Sequence, residues 1–286
     1  IALLVTSNWT AFQTHSIYRD VSDPNLATYI ILPLLMYIIF GYIFKRKYKW
    51  GSWKSHLTGP LNSKLMPFTF SLHPDFRLNG IPHTVESLSV LADELMIAKH
   101  SYEKELGTFL NEWLSSKDSI ILNTSGSTGK PKTINASKRM LCASAQATIN
   151  VCELLPTECA LLCLPIKFIA GKMMLVRAII LGWDLYIKAP EKDAITQYDR
   201  DYDFVAMVPY QVHYSLKSLN KIKKLIIGGG AISIDLNDQL QHVDTEVFAT
   251  YGMTETVTHI AVKKLNYLLG EKHRYYHTLP FVIISK

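Results

Sequence analysis

The chain has 286 residues, 48% of them hydrophobic and 19% charged, with a formal net charge of +6. That balance supplies enough apolar side chain for a sizeable core and excludes a generally disordered chain. Part of the positive excess sits in one short run behind a hydrophobic stretch, and no Arg-rich face interleaved with aromatics accompanies it, so nucleic acid is not an expected partner.

Residues 1–65 differ in character from the rest. Residues 26–44 are almost wholly apolar, include Tyr29, Tyr37 and Tyr42, carry no charge, and run into Lys45, Arg46, Lys47 and Lys49. About 19 apolar residues suffice to cross a bilayer as a helix, and a basic cluster behind them would hold that end on the cytoplasmic side. The expectation is a transmembrane helix that anchors the larger, C-terminal part of the chain to the cytoplasmic face of the membrane. A buried core helix is the alternative, and Pro33 argues against an uninterrupted helix. Gly51 to Pro67, with Gly, Ser, Asn and Pro and scattered charge, reads as a linker. The chain opens on Ile1 and stops within an apolar run before Lys286, so both ends read as cut.

From about Asp75 onward, short strand-like runs alternate with helical ones. Apolar residues recur at helical spacing from Val85 to Ala98, and Tyr102 to Leu114 continues that character. Ser119 to Asn123 reads as a strand, and Ser137 as the N-cap of a helix reaching about Val151. Further strands are expected at Ala160–Leu164, Asp184–Lys188, Phe204–Val208, Lys224–Ile227 and Glu246–Thr250. Helices are expected between them at Ala170–Leu181, Pro209–Leu219 and Ile234–Gln241. This alternation predicts an α/β domain, a largely parallel sheet covered by helices. The four cysteines, Cys142, Cys152, Cys159 and Cys163, form no Cys-x-x-Cys pair and read as small apolar residues of a reduced core.

The densest chemical signal is Thr124, Ser125, Gly126, Ser127, Thr128, Gly129, Lys130, Pro131, Lys132. Polyphosphate binding needs closely approaching backbone N–H groups, hydroxyl donors and a cation, and this segment offers all three. It is not the Gly-x-x-x-x-Gly-Lys loop: its glycines are three apart, and Pro131 cannot donate an N–H or continue a helix interior. A second cluster, Tyr251, Gly252, Met253, Thr254, Glu255, Thr256, joins an aromatic face, a turn glycine, hydroxyls and a carboxylate able to hold Mg²⁺. A third, Gly228, Gly229, Gly230, Ala231, comes after a strand and is only a weak match to a dinucleotide fingerprint.

Ser125 to Lys132 resembles the signature loop of the adenylate-forming superfamily, and Tyr251 to Thr256 comes after it in the order that family shows. The resemblance covers about residues 75–286. It implies a large N-terminal domain of the adenylate-forming fold and a role for Thr124–Lys132 at the β- and γ-phosphates of ATP, with Lys132 as a catalytic cation. It places Gly229, Gly230, Ala231 and Tyr251 at the adenine, Gly252 in the same nucleotide site, Thr254 at the α-phosphate and Glu255 on Mg²⁺. Leu164 to Gly171 resembles the segment between nucleotide and acyl group, with Phe168 where many relatives carry His.

Among superfamily members, Ala170–Ala178, Phe204–Pro209 and Thr256–Ala261 most resemble o-succinylbenzoate–CoA ligases of menaquinone biosynthesis. That implies a carboxylic acid, ATP and coenzyme A as substrates. Lys172 and Arg177 can meet a substrate carboxylate or lie on a solvated helix face; the second is the expectation. The ribose-binding Asp, the hinge and the lysine-bearing small C-terminal domain of the family are expected beyond Lys286, so this chain is expected to bind ATP weakly and not to complete adenylation. The alternative is a membrane-anchored nucleotide-binding or interaction module without ligase activity.

Overall fold

The structure is a computed structural model describing residues 71–123, 133–266, 275–280 and 282. All of these lie within one compact unit, Pro67–Lys286. No helix among the described residues is long and apolar enough to cross a membrane; the segment 26–44 and the linker lie outside them.

In chain order the described strands are β1 (Arg77–Leu78), β2 (Ile81–Pro82), β3 (Ser119–Asn123), β4 (Thr133–Ser137), β5 (Cys159–Leu162), β6 (Asp184–Ile187), β7 (Tyr202–Met207), β8 (Ile222–Ile227), β9 (Glu246–Gly252), β10 (His259–Lys264) and β11 (His277–Thr278). The helices are α1 (Val85–Met96), α2 (Ser101–Leu114), α3 (Lys138–Val151), α4 (Ile169–Leu181), α5 (Pro209–Ser215) and α6 (Ile234–Leu240). Short 3₁₀ turns cover Leu216–Lys221 and Thr254–Thr256.

Nine strands form one sheet in the order β11-β10-β9-β8-β7-β5-β6-β1-β2. Its middle, from β9 through β1, is parallel, and β2, β10 and β11 add antiparallel edges. Pro82 sits on the two-residue edge strand β2, where a missing N–H does least harm.

Strand residues alternate between two cores, as a period of two requires. Ala160, Leu162, Phe204, Ala206, Ile226 and Phe248 face the core containing α1 to α4. Leu161, Val205, Met207, Leu225, Ile227 and Val247 face the one containing α5 and α6. Both faces are therefore covered, which is why the parallel strands read as continuous apolar runs. The chain goes from β5 through α4 to β6, then returns to the other side of β5 for β7. Strand order reverses there, and ligands of open α/β sheets collect outside the carboxyl ends of strands at such a point.

Local chemistry sets the helix ends. Ser137 caps α3, as its position before the apolar run suggests, accepting from the Met140 N–H at 3.1 Å. Ser233 does the same for α6 through the Leu236 N–H at 3.1 Å. Thr84 and Ser87 cap each other at the start of α1. Gly182, at φ 68°, stops α4 in the left-handed conformation glycine adopts without strain. Ser137→Ala should remove about 1 kcal/mol of stability, a fall of a few degrees in thermal midpoint.

The structure departs from the sequence expectations in several places. The strand Ser119–Asn123 does not join the parallel sheet: it pairs antiparallel with β4 as a separate two-stranded ribbon. The helix expected over Pro209–Leu219 tightens into 3₁₀ geometry after Ser215. The strand β10, which lacks a clean apolar alternation, forms because β9 supplies its partner.

Candidate functional site

β9 ends in the second motif. Tyr251 and Gly252 are its last residues, and Thr254–Thr256 form a single 3₁₀ turn just beyond it. The antiparallel return places His259 opposite Gly252. Contact there is so close that a Cβ on Gly252 would lie 2.2 Å from the Thr258 carbonyl oxygen and 2.3 Å from the His259 Cα. Thr256 ties the turn together: its hydroxyl accepts from the Met253 N–H at 3.1 Å and donates to the Thr258 carbonyl at 2.6 Å. The next residue, Val257, is buried at φ 70°, a conformation that strains a β-branched side chain by about 1–3 kcal/mol. This tight return leaves the functional groups outside: Tyr251 is 56% exposed, and Gly252 and Glu255 are exposed beside it. Tyr276 meets the Tyr251 ring edge-on at 6.3 Å between centroids.

The glycine segment lies at the carboxyl end of the adjacent strand, β8. The Gly228 N–H donates to the Met207 carbonyl at 3.2 Å, and the Thr250 hydroxyl donates to the Ile227 carbonyl at 3.1 Å. A Cβ on Gly228 would reach 2.5 Å from that hydroxyl. Gly229 takes φ 76°, while Gly230 and Ala231 are exposed. The result is a bare backbone ledge at the end of β8, next to the strand that ends in the exposed Tyr251, a shape suited to a flat heterocycle. Gly229, Gly230, Ala231, Tyr251, Gly252, Thr254 and Glu255 are thus brought together at the carboxyl ends of neighbouring strands.

Thr124 to Lys132 lie outside the described residues. Their flanks are described: β3 and β4 pair up to Asn123↔Thr133, the two residues bordering the loop. β4 continues directly into α3, and α3 carries Thr148 to the strand return at His259.

Arg177 corrects one sequence expectation. α4 is buried on all sides and has no solvated face. Lys172 is 9% exposed, with its Nζ 4.5 Å from the centroid of the Phe109 ring; burial lowers its pKa, and Glu112 and Glu105 oppose that. Arg177 is 2% exposed, and burial pushes its pKa down to about 10. Its Nη2 donates to the Thr148 hydroxyl at 3.2 Å, its Nη1 lies 3.9 Å from the Met174 sulfur, and its Nε is buried without a hydrogen-bond partner. Among the described residues no carboxylate pairs with it. Thr148 also lies 2.8 Å from His259 Nε2, and Thr258 Oγ1 lies 3.2 Å from His259 Nδ1. Burial, with the nearby Arg177 charge second, pushes the His259 pKa down to about 3, so the ring is neutral. Sequence reasoning does not find this network. Its one signal is a lone Arg inside the apolar run from Met173 to Ile180.

The cysteines are unpaired thiols, and burial pushes Cys142 and Cys163 up to about 12 and Cys152 to about 11. None is poised as a nucleophile. Phe168 sits at the N-cap of α4, 42% exposed, with no side-chain bond to the helix.

Comparison with known proteins accords with this geometry. Residues 76–281 match the family model of AMP-binding enzymes. The chain is 25% identical to the 2-succinylbenzoate–CoA ligase of Escherichia coli over 213 residues, covering 73% of this chain and 44% of that protein. It is 29% identical to the corresponding ligase of Enterococcus faecalis over 153 residues, covering 50% and 32% respectively. Among solved structures, an acyl-CoA synthetase (AMP-forming)/AMP-acid ligase II-like protein from Dyadobacter fermentans is similar, with 35% identity and a TM-score of 0.59. That match covers 67% of this chain and 56% of that one. The chain therefore spans less than half the length of the two curated relatives.

Proposed function

This chain belongs to the AMP-binding enzyme family, and on that basis we propose that it is the nucleotide-binding core of an ATP-dependent acid–CoA ligase. The observation that carries this reading is the convergence of an exposed Tyr251 face, a bare glycine ledge, Thr254 and Glu255 at the carboxyl ends of β8 and β9. Adenine lies against Gly229–Ala231 and Tyr251. Thr254 orients the α-phosphate, and Lys130 and Lys132 neutralise the β- and γ-phosphates. Glu255, an exposed carboxylate on the same turn, would hold Mg²⁺, which offsets charge at the phosphates. The acid's carboxylate oxygen then attacks the α-phosphorus and pyrophosphate leaves. In the second half-reaction the coenzyme A thiolate attacks the acyl carbonyl and AMP leaves.

The acid is proposed to carry a second carboxylate, as 2-succinylbenzoate does. A buried cation without an anion is costly, and Arg177 has no carboxylate partner among the described residues while lying one threonine away from the residue paired with Gly252. A dicarboxylic substrate supplies the missing charge.

The nucleotide assignment is tested by titrating the chain with ATP and Mg²⁺. Lys132→Ala and Glu255→Ala should each weaken binding about tenfold, the loss of one charge-assisted contact. Equal affinity in both variants would remove the assignment.

A further inference from the structure

We propose that His259 is a positioning residue for acid selection, holding the Arg177 guanidinium in place through Thr148. The proposal rests on the reading of Arg177 as the group that meets the acid's second carboxylate. It adds a residue that touches neither nucleotide nor acid.

The tautomer of His259 is assigned from the Thr148 hydroxyl outward. The Thr148 hydroxyl has a single proton, and the Ser144 carbonyl takes it at 3.1 Å. Its oxygen then accepts from both Arg177 Nη2 at 3.2 Å and His259 Nε2 at 2.8 Å. His259 therefore carries its proton on Nε2, and its Nδ1 accepts from the Thr258 hydroxyl at 3.2 Å. The imidazole has both nitrogens committed, one toward α3 and one toward its own strand.

Three elements thus meet at one point: α4 through Arg177, α3 through Thr148, and β10 through His259 and the adjoining Thr258. Arg177 makes few other polar contacts. Among the described residues its Nε has no partner, and its Nη1 has a distant sulfur. The guanidinium is consequently oriented from one side, by Thr148, and Thr148 is oriented by His259. The Gly252↔His259 pairing makes the same imidazole part of the strand return under the nucleotide motif. A shift of His259 therefore moves the acid-reading cation relative to Tyr251 and Thr254.

The test uses two non-hydrolysable acyl-sulfamoyl adenosine analogues of the acyl-adenylate, one with a second carboxylate on the acyl group and one without. The readout is the ratio of their affinities for the chain, because a merely structural disturbance weakens both in proportion. His259→Leu removes the donor to Thr148, and Thr148→Val removes the same link from its other end at similar volume. Each should reduce the ratio about tenfold. His259→Gln keeps an N–H donor near the position of Nε2 and should retain most of the preference. Arg177→Met should bring the ratio near one.

If Arg177→Met abolishes the preference while His259→Leu and Thr148→Val leave it intact, His259 does not position the arginine and the proposal fails. If Arg177→Met leaves the preference unchanged, the reading of the second carboxylate fails and takes the proposal with it. Equal losses in His259→Gln and His259→Leu would also overturn it, since the donor would then be irrelevant. The thermal midpoint of each variant identifies any that does not fold, and Thr148→Val keeps the link testable should His259→Leu be one.

Discussion

Gly252→Ala is expected to lower stability by about 3 kcal/mol and to abolish measurable nucleotide binding. The new methyl group would stand 2.2 Å from the Thr258 carbonyl oxygen, 2.3 Å from the His259 Cα and 2.7 Å from the His259 nitrogen. All three are backbone atoms, so no side-chain rotation relieves the overlap. The strands β9 and β10 must separate at the Gly252↔His259 pair, and overpacking of that kind costs about 1–3 kcal/mol or more. Separation also moves Tyr251 on one side of the glycine and the Thr254–Thr256 turn on the other. Gly230→Ala is the matched control. Its Cβ would find only Pro209, at 3.6 Å, an ordinary contact, and stability should change by less than about 0.5 kcal/mol. Denaturant titration with an ATP titration on each variant checks both statements. A Gly252→Ala protein as stable as the parent would contradict the close strand return.

The second large effect is acid sensitivity. His259 is neutral in the folded protein down to about pH 3, whereas an unfolded imidazole takes up its proton near 6.5. Between those values the unfolded state binds one more proton than the folded state. Stability therefore rises with pH across that window and is lost as pH falls, by about 1.4 kcal/mol per pH unit. The full loss approaches about 4 to 5 kcal/mol, and about 2 kcal/mol is already gone at pH 5. Burial sets the direction first, and the groups facing the ring reinforce it: Arg177 from α4 opposes a second positive charge, and Thr148 from α3 and Thr258 beside β10 bring none of their own. His259→Gln removes the titrating group, so the difference in unfolding free energy between parent and variant should shrink from pH 7 to pH 4. A constant difference across that range would show that His259 does not carry the acid loss.

Arg177 and His259 illustrate how a site differs from a motif. The nucleotide motifs are contiguous because backbone N–H groups, hydroxyls and a carboxylate must surround one small ligand from a single loop or turn. Tyr251 to Thr256 can therefore be read directly from the residue order, and the structure sets that segment at the carboxyl end of β9. The buried network draws on Thr148, Arg177, Thr258 and His259, whose positions span 111 residues from Thr148 to His259. Nothing local distinguishes Arg177 from a helix residue reaching water. The difference between the two readings is whether another layer covers that face of α4.

The alternation of apolar strands with helices, the cap at Ser137 and the glycine stop at Gly182 are legible because each depends on residues within a few positions of one another. The α/β class comes from that alternation, and the nucleotide chemistry from residue types packed into short loops. Strand order, the separate β3–β4 ribbon and the pairing of β10 with β9 emerge only in three dimensions. Hydrogen-bond partners of strands are distant in sequence and chosen by which layers pack. The same holds for the buried charge. Residue order alone shows an arginine among apolar neighbours; the packing of α3, α4 and β10 around it is what buries that arginine with no carboxylate partner among the described residues.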